Sequence, residues 1–565
     1  MSSPVNDQVD GAVGRAADAL FAVQRAEGSW PNRRPTAVLG TAGAAIALHL
    51  ADRDRSAGLT ARAVHWLGEA QNPDGGWGGV AGAPSQVIPT VIAASALRII
   101  APETTHDRVR RALDLVHADG GPTALNDAGM AHMASAFLTL AGLPAAGGAR
   151  RIPLELLLLP ARLWRARLSF RMAPFVAMAF MQSRGRPVRG PRRLARRAGL
   201  RLLSRMERQE NDPGGYGGDN WLVAVVCIGL VSAGAPQEMI ARTVDYLRAN
   251  VHPDGSWHIM QGLDVIGGAY VARGLADAGY TGDARLAAAR RWLRGCQQSE
   301  AFPLYASPPG GWGWEGPRGW PNILDSASVL AALVVAGGEE PGEVTRLGLR
   351  WLVSRQDRSG SWGTFVPDTT LRNDGPCPYV TAACLETLID SGAAGDPAVR
   401  RGLDWLLGRQ RPDGTYEALW YRGPVPGTAM ALAAFGRAGM AGHPGARRAR
   451  DALLRAQLPD GGWGPGDTGV PGDDPTGTVE ETAWAVRALL VSGMPADDPR
   501  IRRGVAFIVA AQRPDGLWPA APVCMHIRDA AYYVDGLIVD GLSLRALGAY
   551  RAARHAAAVA GSEVS

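Results

Sequence analysis

A short motif recurs along the whole chain and limits the available folds more than any other feature. "QRAEGSW" (Gln24 to Trp30), "QNPDGGW" (Gln71 to Trp77), "QDRSGSW" (Gln356 to Trp362), "QLPDGGW" (Gln457 to Trp463) and "QRPDGLW" (Gln512 to Trp518) place Trp six residues after Gln, with Gly between. "QRPDGTY" (Gln410 to Tyr416) ends in Tyr, "QENDPGGY" (Gln209 to Tyr216) carries one more residue, and "VHPDGSW" (Val251 to Trp257) lacks the Gln. In the C-terminal half the copies start at Gln356, Gln410, Gln457 and Gln512. That spacing of about fifty residues belongs to repeat architectures.

Each motif follows a stretch with apolar residues at helical spacing, such as "RGLDWLLGRQ" (Arg401 to Gln410) or "RRGVAFIVAAQ" (Arg502 to Gln512). Pro-Asp-Gly stops that helix, and a second apolar helix follows, as in "ETAWAVRALLVSG" (Glu481 to Gly493). The unit is helix, Gly-rich turn, helix. Several such units predict an all-α fold of concentric inner and outer helices around a central hollow. Gln is expected to bond backbone groups orphaned at a neighbouring helix end, and Trp to pack across the turn.

At 565 residues the chain exceeds one ordinary domain. It contains no lysine, which excludes Schiff-base chemistry and a lysine phosphate loop. The net charge of +6 is small for this length and gives no argument for nucleic acid. Cys227, Cys296, Cys377, Cys384 and Cys524 form no CxxC pair, so neither zinc nor a disulfide framework is expected. The N-terminus has no signal-peptide pattern and no apolar run is long enough to cross a membrane, which predicts a cytoplasmic chain.

The density and register of these QW repeats resemble the squalene–hopene cyclase and class II terpenoid cyclase family, over about residues 24–518. The resemblance implies two (α/α) barrel domains. They are drawn at 12–255 and 256–565, with residues 1–30 packing with the second, which holds the pocket. It also implies protonation of a polyisoprenoid alkene or epoxide, followed by cation-driven ring closure to a cyclic terpenoid. A carbocation needs dry walls and aromatic faces. Trp312, Trp314 and Trp320 in "GGWGWEGPRGW", Trp362 and Phe365 in "GSWGTF", Trp420 and Tyr421 in "ALWYRG", and Tyr532 near the C-terminus stand where the family has pocket aromatics. Packing in the core or turns is the other reading of each.

The family's proton donor is the central Asp of an Asp-x-Asp-Asp motif. Here "NILD" aligns with it: Asn322 replaces the first Asp, Leu324 the central one, and Asp325 retains the last. Three readings follow. Asp325 is the acid of a divergent cyclase, with Asn322 beside it and an epoxidised or diphosphate-bearing polyprenoid as substrate. Alternatively another carboxyl donates the proton, the candidates being Asp264, Asp368 and Asp374. In the third reading the barrel only binds an isoprenoid or a partner protein. Of the C-terminal stretch, Tyr532 and Tyr533 add aromatic surface while His526, Arg528 and Asp529 add polarity.

No cofactor is expected, and magnesium enters only with a diphosphate substrate; "PGDDPTGTVEE" (Pro471 to Glu481) reads as a solvated loop. Residues 151–181 combine apolar runs with Arg162, Arg165, Arg167 and Arg171, which suits one-sided contact with a membrane face. The strongly basic stretch 184–197 suits anionic lipid. A homodimer is an open expectation.

Overall fold

The computed structural model describes residues 4–122, 125, 128–144, 152–160, 163, 172–185, 189–210, 212–334, 342–369, 371–372, 374–465, 476–528 and 531–563. The chain divides into two compact units. One holds Met1–Arg33, Leu263–Cys524 and Val534–Ser565; the other holds Arg34–Gly262 and Met525–Tyr533. The division falls at Leu263, and 525–533 groups with the earlier residues, where the sequence reading had assigned that stretch to the later domain.

In the first unit six inner helices close a ring, each packed on the next and the last on the first. They are Asp264–Asp277, Ile323–Val334, Pro378–Asp390, Val425–Arg437, Val479–Val491 and Gly536–Glu563. Outside them lie Ala284–Gly295, Glu343–Ser354, Pro397–Leu407, Pro444–Arg455 and Pro499–Ala510, and Pro4–Ala22 packs on the last inner and last outer helices. In the second unit Val38–Ala51, Val87–Ile100, Ala128–Leu140, Met172–Met181 and Asn220–Ala233 form the inner ring. Burial separates the layers. Val425–Phe435 is buried on every side, whereas outer helix Pro397–Leu407 buries one stripe, Ala398, Val399, Gly402 and Leu406.

The repeat motif is a set of backbone bonds. Each Trp indole N–H donates to a carbonyl in the last turn of the preceding outer helix: Trp77 to Leu67 at 2.8 Å, Trp362 to Leu352 at 2.9 Å, Trp463 to Leu453 at 2.7 Å and Trp518 to Ile508 at 2.8 Å. Those carbonyls are the orphans of a helix C-terminus, so Trp caps the helix end. Gln was expected in that role and does something else. Gln356 Nε2 bonds the turn carbonyl of Gly360 and the carbonyl of Ala398, in the first turn of the next outer helix, both at 2.8 Å. First-turn carbonyls already accept a helical bond, so Gln uses their second lone pair. Its own Oε1 accepts from an arginine one turn further on, Arg401; Gln410 and Gln457 repeat this with Arg448 and Arg503 at 2.9 Å and 2.8 Å. Gly360 has φ of 92°, and a Cβ there would lie 2.6 Å from the Arg401 carbonyl oxygen.

A third bond fixes each inner helix. The Trp or Tyr backbone N–H donates to a first-turn side chain of the inner helix: Thr381 for Trp362, Thr428 for Tyr416, Thr482 for Trp463, Ser326 for Trp312 and Asp540 for Trp518. This anchor sets the rotation of the helix about its axis, and so decides which residues face the lumen.

No described helix is long and apolar enough to cross a membrane. Of the stretch 151–181, Leu158, Leu159 and Leu163 are exposed, while Arg162, Arg165, Arg167 and Arg171 lie outside the described residues. So do Asp473, Asp474 and Asp529.

Candidate active site

The loops that lead into the inner helices of the first unit interlock. Leu263 donates its backbone N–H to the Trp314 carbonyl, Ile323 to Thr364, and Arg422 to Val523, while Trp420 Nε1 reaches Thr364 Oγ1 at 2.8 Å. They gather aromatic rings at the N-terminal ends of the helices. Trp314 lies between Trp320 and Phe365, with centroids 6.0 Å from each, and Tyr305 meets Phe302 at 4.8 Å. Deeper in the ring a second layer forms. Tyr421 packs on Tyr379 and on Trp484, each at 4.8 Å, and the Tyr270 hydroxyl bonds those of Tyr379 and Tyr421 at 2.9 Å and 3.2 Å.

Below this layer is a small hollow lined among others by Tyr270, Ala327, Ser328, Tyr379 and Met430. Its floor is charged. Arg273 bonds Asp277 at 2.9 Å and Asp390 at 3.1 Å, Arg545 bonds Asp277 and Glu386, and Arg487 pairs with Glu386. Burial alone would raise the Glu386 pKa, but Arg487, Arg545 and Arg273 hold it well below the usual carboxylate range.

Asp325 is buried at the third position of its helix. Its backbone N–H donates to Asn322 Oδ1 at 2.9 Å, and its Oδ2 accepts from Asn322 Nδ2 at 2.7 Å. The pair is a variant of the reciprocal helix N-cap, made side chain to side chain. Burial pushes the Asp325 pKa up to about 7, against the pull of the Asn322 amide. Its direction is set by Ser326, anchored to Trp312. Ala327, Ser328 and Ala331 line the hollow, and Leu324, one turn before Ser328, continues that stripe. Asp325 is rotated by about 100° from Leu324, away from the stripe of Ala327, Ser328 and Ala331.

The other expected acids are engaged elsewhere. Asp264 is part-exposed and paired with Arg25 at 3.3 Å. Asp368 is exposed on a turn beside Arg358, at 3.4 Å. The buried Asp374 carboxylate accepts backbone N–H groups of Thr364, Phe365 and Val366 and so organises the loop behind Phe365. Among the expected aromatics, Trp314, Trp320, Phe365 and Trp420 gather at the N-terminal ends of the inner helices and Tyr421 in the deeper layer. Trp362 is a turn tryptophan behind the helices, and so is Trp312, whose Nε1 donates to Leu293 at 2.7 Å. Tyr532 belongs to the other unit, where its carbonyl packs against Gly79. In that unit His526 Nε2 lies 3.4 Å from the buried Asp219 carboxylate.

"PGDDPTGTVEE", expected as a solvated loop, ends inside a buried helix: Glu480 and Glu481 lie in the first turn of Val479–Val491, shielded from water by the inner ring. Glu480 Oε1 accepts the Ala521 N–H at 2.8 Å, while its buried Oε2 has no partner. Burial, helped by Glu481, pushes its pKa up to about 8. Glu481 accepts from Thr478 at 2.7 Å and from Arg422 at 3.2 Å. The repeat register would have found them: Glu480 precedes its anchor Thr482 by two residues, as Leu324 precedes Ser326 and as the lumen-lining Tyr379 precedes Thr381. Among the described residues, no three His, Cys, Asp or Glu side chains are grouped to hold a metal ion.

The model "Squalene-hopene cyclase N-terminal domain" matches residues 13–171, and "Squalene-hopene cyclase C-terminal domain" matches 305–533. The squalene–hopene cyclase of Alicyclobacillus acidocaldarius is 38% identical over 226 residues, covering 35% of this chain and 35% of that protein. The drimenyl diphosphate synthase of Streptantibioticus cattleyicolor is 26% identical over 315 residues, 53% of this chain and 55% of that protein. The matches thus span between about a third and a half of the relatives' length. The ent-copalyl diphosphate synthase from Streptomyces platensis shares the fold, with a TM-score of 0.61 at 20% identity over 95% of this chain and 99% of that one. With N- and C-terminal models matched in order on a pair of helical toroids, the chain belongs to the squalene–hopene cyclase-like, class II terpenoid cyclase family.

Proposed function

We propose that the protein is a class II-type terpene cyclase, converting a linear polyprenoid to a cyclic terpenoid by acid-initiated carbocation cyclisation. One observation carries this reading: the closed ring of the first unit holds a dry layer of aromatic faces, Tyr379, Tyr421 and Trp484, one turn from a buried carboxyl. A neutral carboxylic acid donates the first proton, the ring faces stabilise the cation by their quadrupoles, and helix packing keeps water from trapping it. The last cation gives up a proton, so product and substrate are isomers. The reading invokes no cofactor; magnesium enters only as counter-ion of a diphosphate substrate.

The drimenyl diphosphate synthase, matched over more of this chain than the squalene–hopene cyclase, supports a diphosphate-bearing prenyl chain as one substrate class. The exposed Leu158, Leu159 and Leu163 support one-sided lipid contact through 151–181. Purified protein is to be incubated with squalene, oxidosqualene, geranylgeranyl diphosphate and its epoxide, and the extracts read by mass spectrometry. A cyclic isomer of one of them is expected. No product from any overturns the cyclase reading in favour of a barrel that only binds isoprenoids.

A further inference from the structure

We propose that Glu480, rather than the motif-position Asp325, delivers the initiating proton, because Glu480 holds in its own repeat the lumen-facing place that Leu324 holds in the repeat of the motif. The inference rests on the cyclase reading and names its acid. Four of the five anchors, Ser326, Thr381, Thr428 and Thr482, are the fourth residue of their inner helix and so share one register, while Asp540 is the fifth residue of its own. Two residues before the anchor stand Leu324, Tyr379, Pro426, Glu480 and Ile538. Tyr379 lines the hollow, which shows where this place points. Only Glu480 among the five carries an ionisable proton within reach of neutral pH.

The rest of its helix agrees. Glu480, Trp484 and Arg487 fall at i, i+4 and i+7, one face of a helix. Trp484 packs on Tyr379 and Tyr421, and Arg487 reaches Glu386, which lines the hollow. Glu480 therefore stands one turn above Trp484 on the lumen stripe, 1% exposed, with one carboxyl oxygen bonded to Ala521 and the other unpartnered. An unpartnered oxygen buried beside π-faces is the arrangement in which a carboxyl group stays neutral and keeps an O–H for an incoming alkene or epoxide. Asp325 also has one oxygen bonded, to Asn322, and what separates it from Glu480 is direction: its helix turns it away from the stripe. Glu481, bonded to Thr478 and Arg422, positions the first turn.

In the step, the Glu480 O–H bond breaks as a C–H bond forms at the terminal alkene carbon, whose π pair is consumed; with an epoxide the proton goes to oxygen and a C–O bond opens. Successive alkenes attack the cation and form the ring bonds. The final cation loses a proton to water, and water returns one to the Glu480 carboxylate, so the sum is an isomerisation.

The test uses the full chain with whichever compound of the panel it cyclises, in heavy water. Wild type is expected to place one deuterium at the initiating carbon. Glu480→Gln, shown to fold by its melting transition, should lose product at least about 100-fold, and Glu480→Asp should restore part of it. A separate readout needs no turnover: the infrared carbonyl band of a protonated carboxyl at neutral pH should shrink in Glu480→Gln. Wild-type rates in Glu480→Gln, product lost from Asp325→Asn alone, or a band unchanged by Glu480→Gln each overturn the assignment while leaving the cyclase reading intact. No product from the wild-type chain overturns the cyclase reading and with it the donor role.

Discussion

Asp325 and Glu480 are both buried carboxyls with one oxygen bonded inside the protein, Asp325 to the Asn322 amide and Glu480 to the Ala521 N–H. The bonds to Asn322 make Asp325 part of a helix start. Burial holds its pKa at about 7 in the fold, against 3.8 as the ordinary value. The sign is fixed by that direction. Between about pH 4 and pH 7 the folded chain binds a proton that the unfolded chain has released, so this contribution to stability is complete at low pH and is lost as pH rises through 7. About three pKa units set a ceiling of about 4 kcal/mol. Asp325→Asn cannot ionise. Relative to wild type, its stability should improve between pH 4 and pH 8 by up to that amount, measured by denaturant unfolding at both pH values. A constant difference between the two proteins would show that Asp325 is not held neutral.

At the level of the element, the repeat explains what the sequence made legible and what it concealed. Helix, turn and helix were readable because Gln, Gly and Trp recur at fixed spacing, and because inner helices are apolar all round while outer ones are striped. One copy stayed hidden. Gln297 Nε2 bonds the carbonyls of Gly310 at 3.0 Å and Val344 at 2.8 Å, and Trp312 caps Leu293, so Gln297 and Trp312 form a repeat motif interrupted by extra residues. The interruption broke the spacing, which left Trp312 looking like a pocket residue. If the copy is intact, Gln297→Ala should cost about 1–3 kcal/mol for its two hydrogen bonds, and Gln356→Ala at least as much, since it also loses the bond from Arg401. Melting temperatures compare the two; a neutral Gln297→Ala would make the contacts incidental. The roles of the first-turn acids Asp325 and Glu480 were illegible for a related reason. Local motifs show Asp325 as the family's surviving Asp, but only the anchor bonds reveal which residue of the first turn faces inward.

The lumen floor joins inner helices that are distant in sequence, and its stability is a property of the network. Arg273, Arg487 and Arg545 oppose Asp277, Glu386 and Asp390, with side-chain exposure from 2% at Arg273 to 17% at Asp277. Neutralising one member leaves buried guanidinium groups unpaired, so Glu386→Gln should destabilise by about 3–5 kcal/mol. A loss below about 1 kcal/mol in denaturant unfolding would show that water or neighbouring carboxylates take over the pairing.

At the scale of the molecule, the ring of the first unit is completed by the beginning of the chain. Helix Pro4–Ala22 lies against Pro499–Ala510 and Gly536–Glu563 and buries Val9, Ala12, Val13, Ala16, Ala17, Leu20 and Phe21. The last repeat depends on it: Gln512 Nε2 donates to the Ala12 carbonyl at 2.9 Å, where the other copies use the next outer helix. The first repeat returns the favour across the same seam, since Gln24 reaches the Arg285 carbonyl at 3.1 Å and Trp30 caps Leu20. Closure is thus made by hydrogen bonds and apolar contacts between the two ends of the unit, with no other covalent tie at this seam. Removing residues 1–23 would expose the apolar sides of two helices. Fully burying even two or three large side chains is worth about 5 kcal/mol, so the truncated chain should melt well below the full-length one. Adding a peptide of residues 1–33 should raise its melting temperature in a concentration-dependent way, as any partner that binds only the folded state must. A truncated chain that melts like the intact protein, and ignores the peptide, would mean that the ring closes without its first helix.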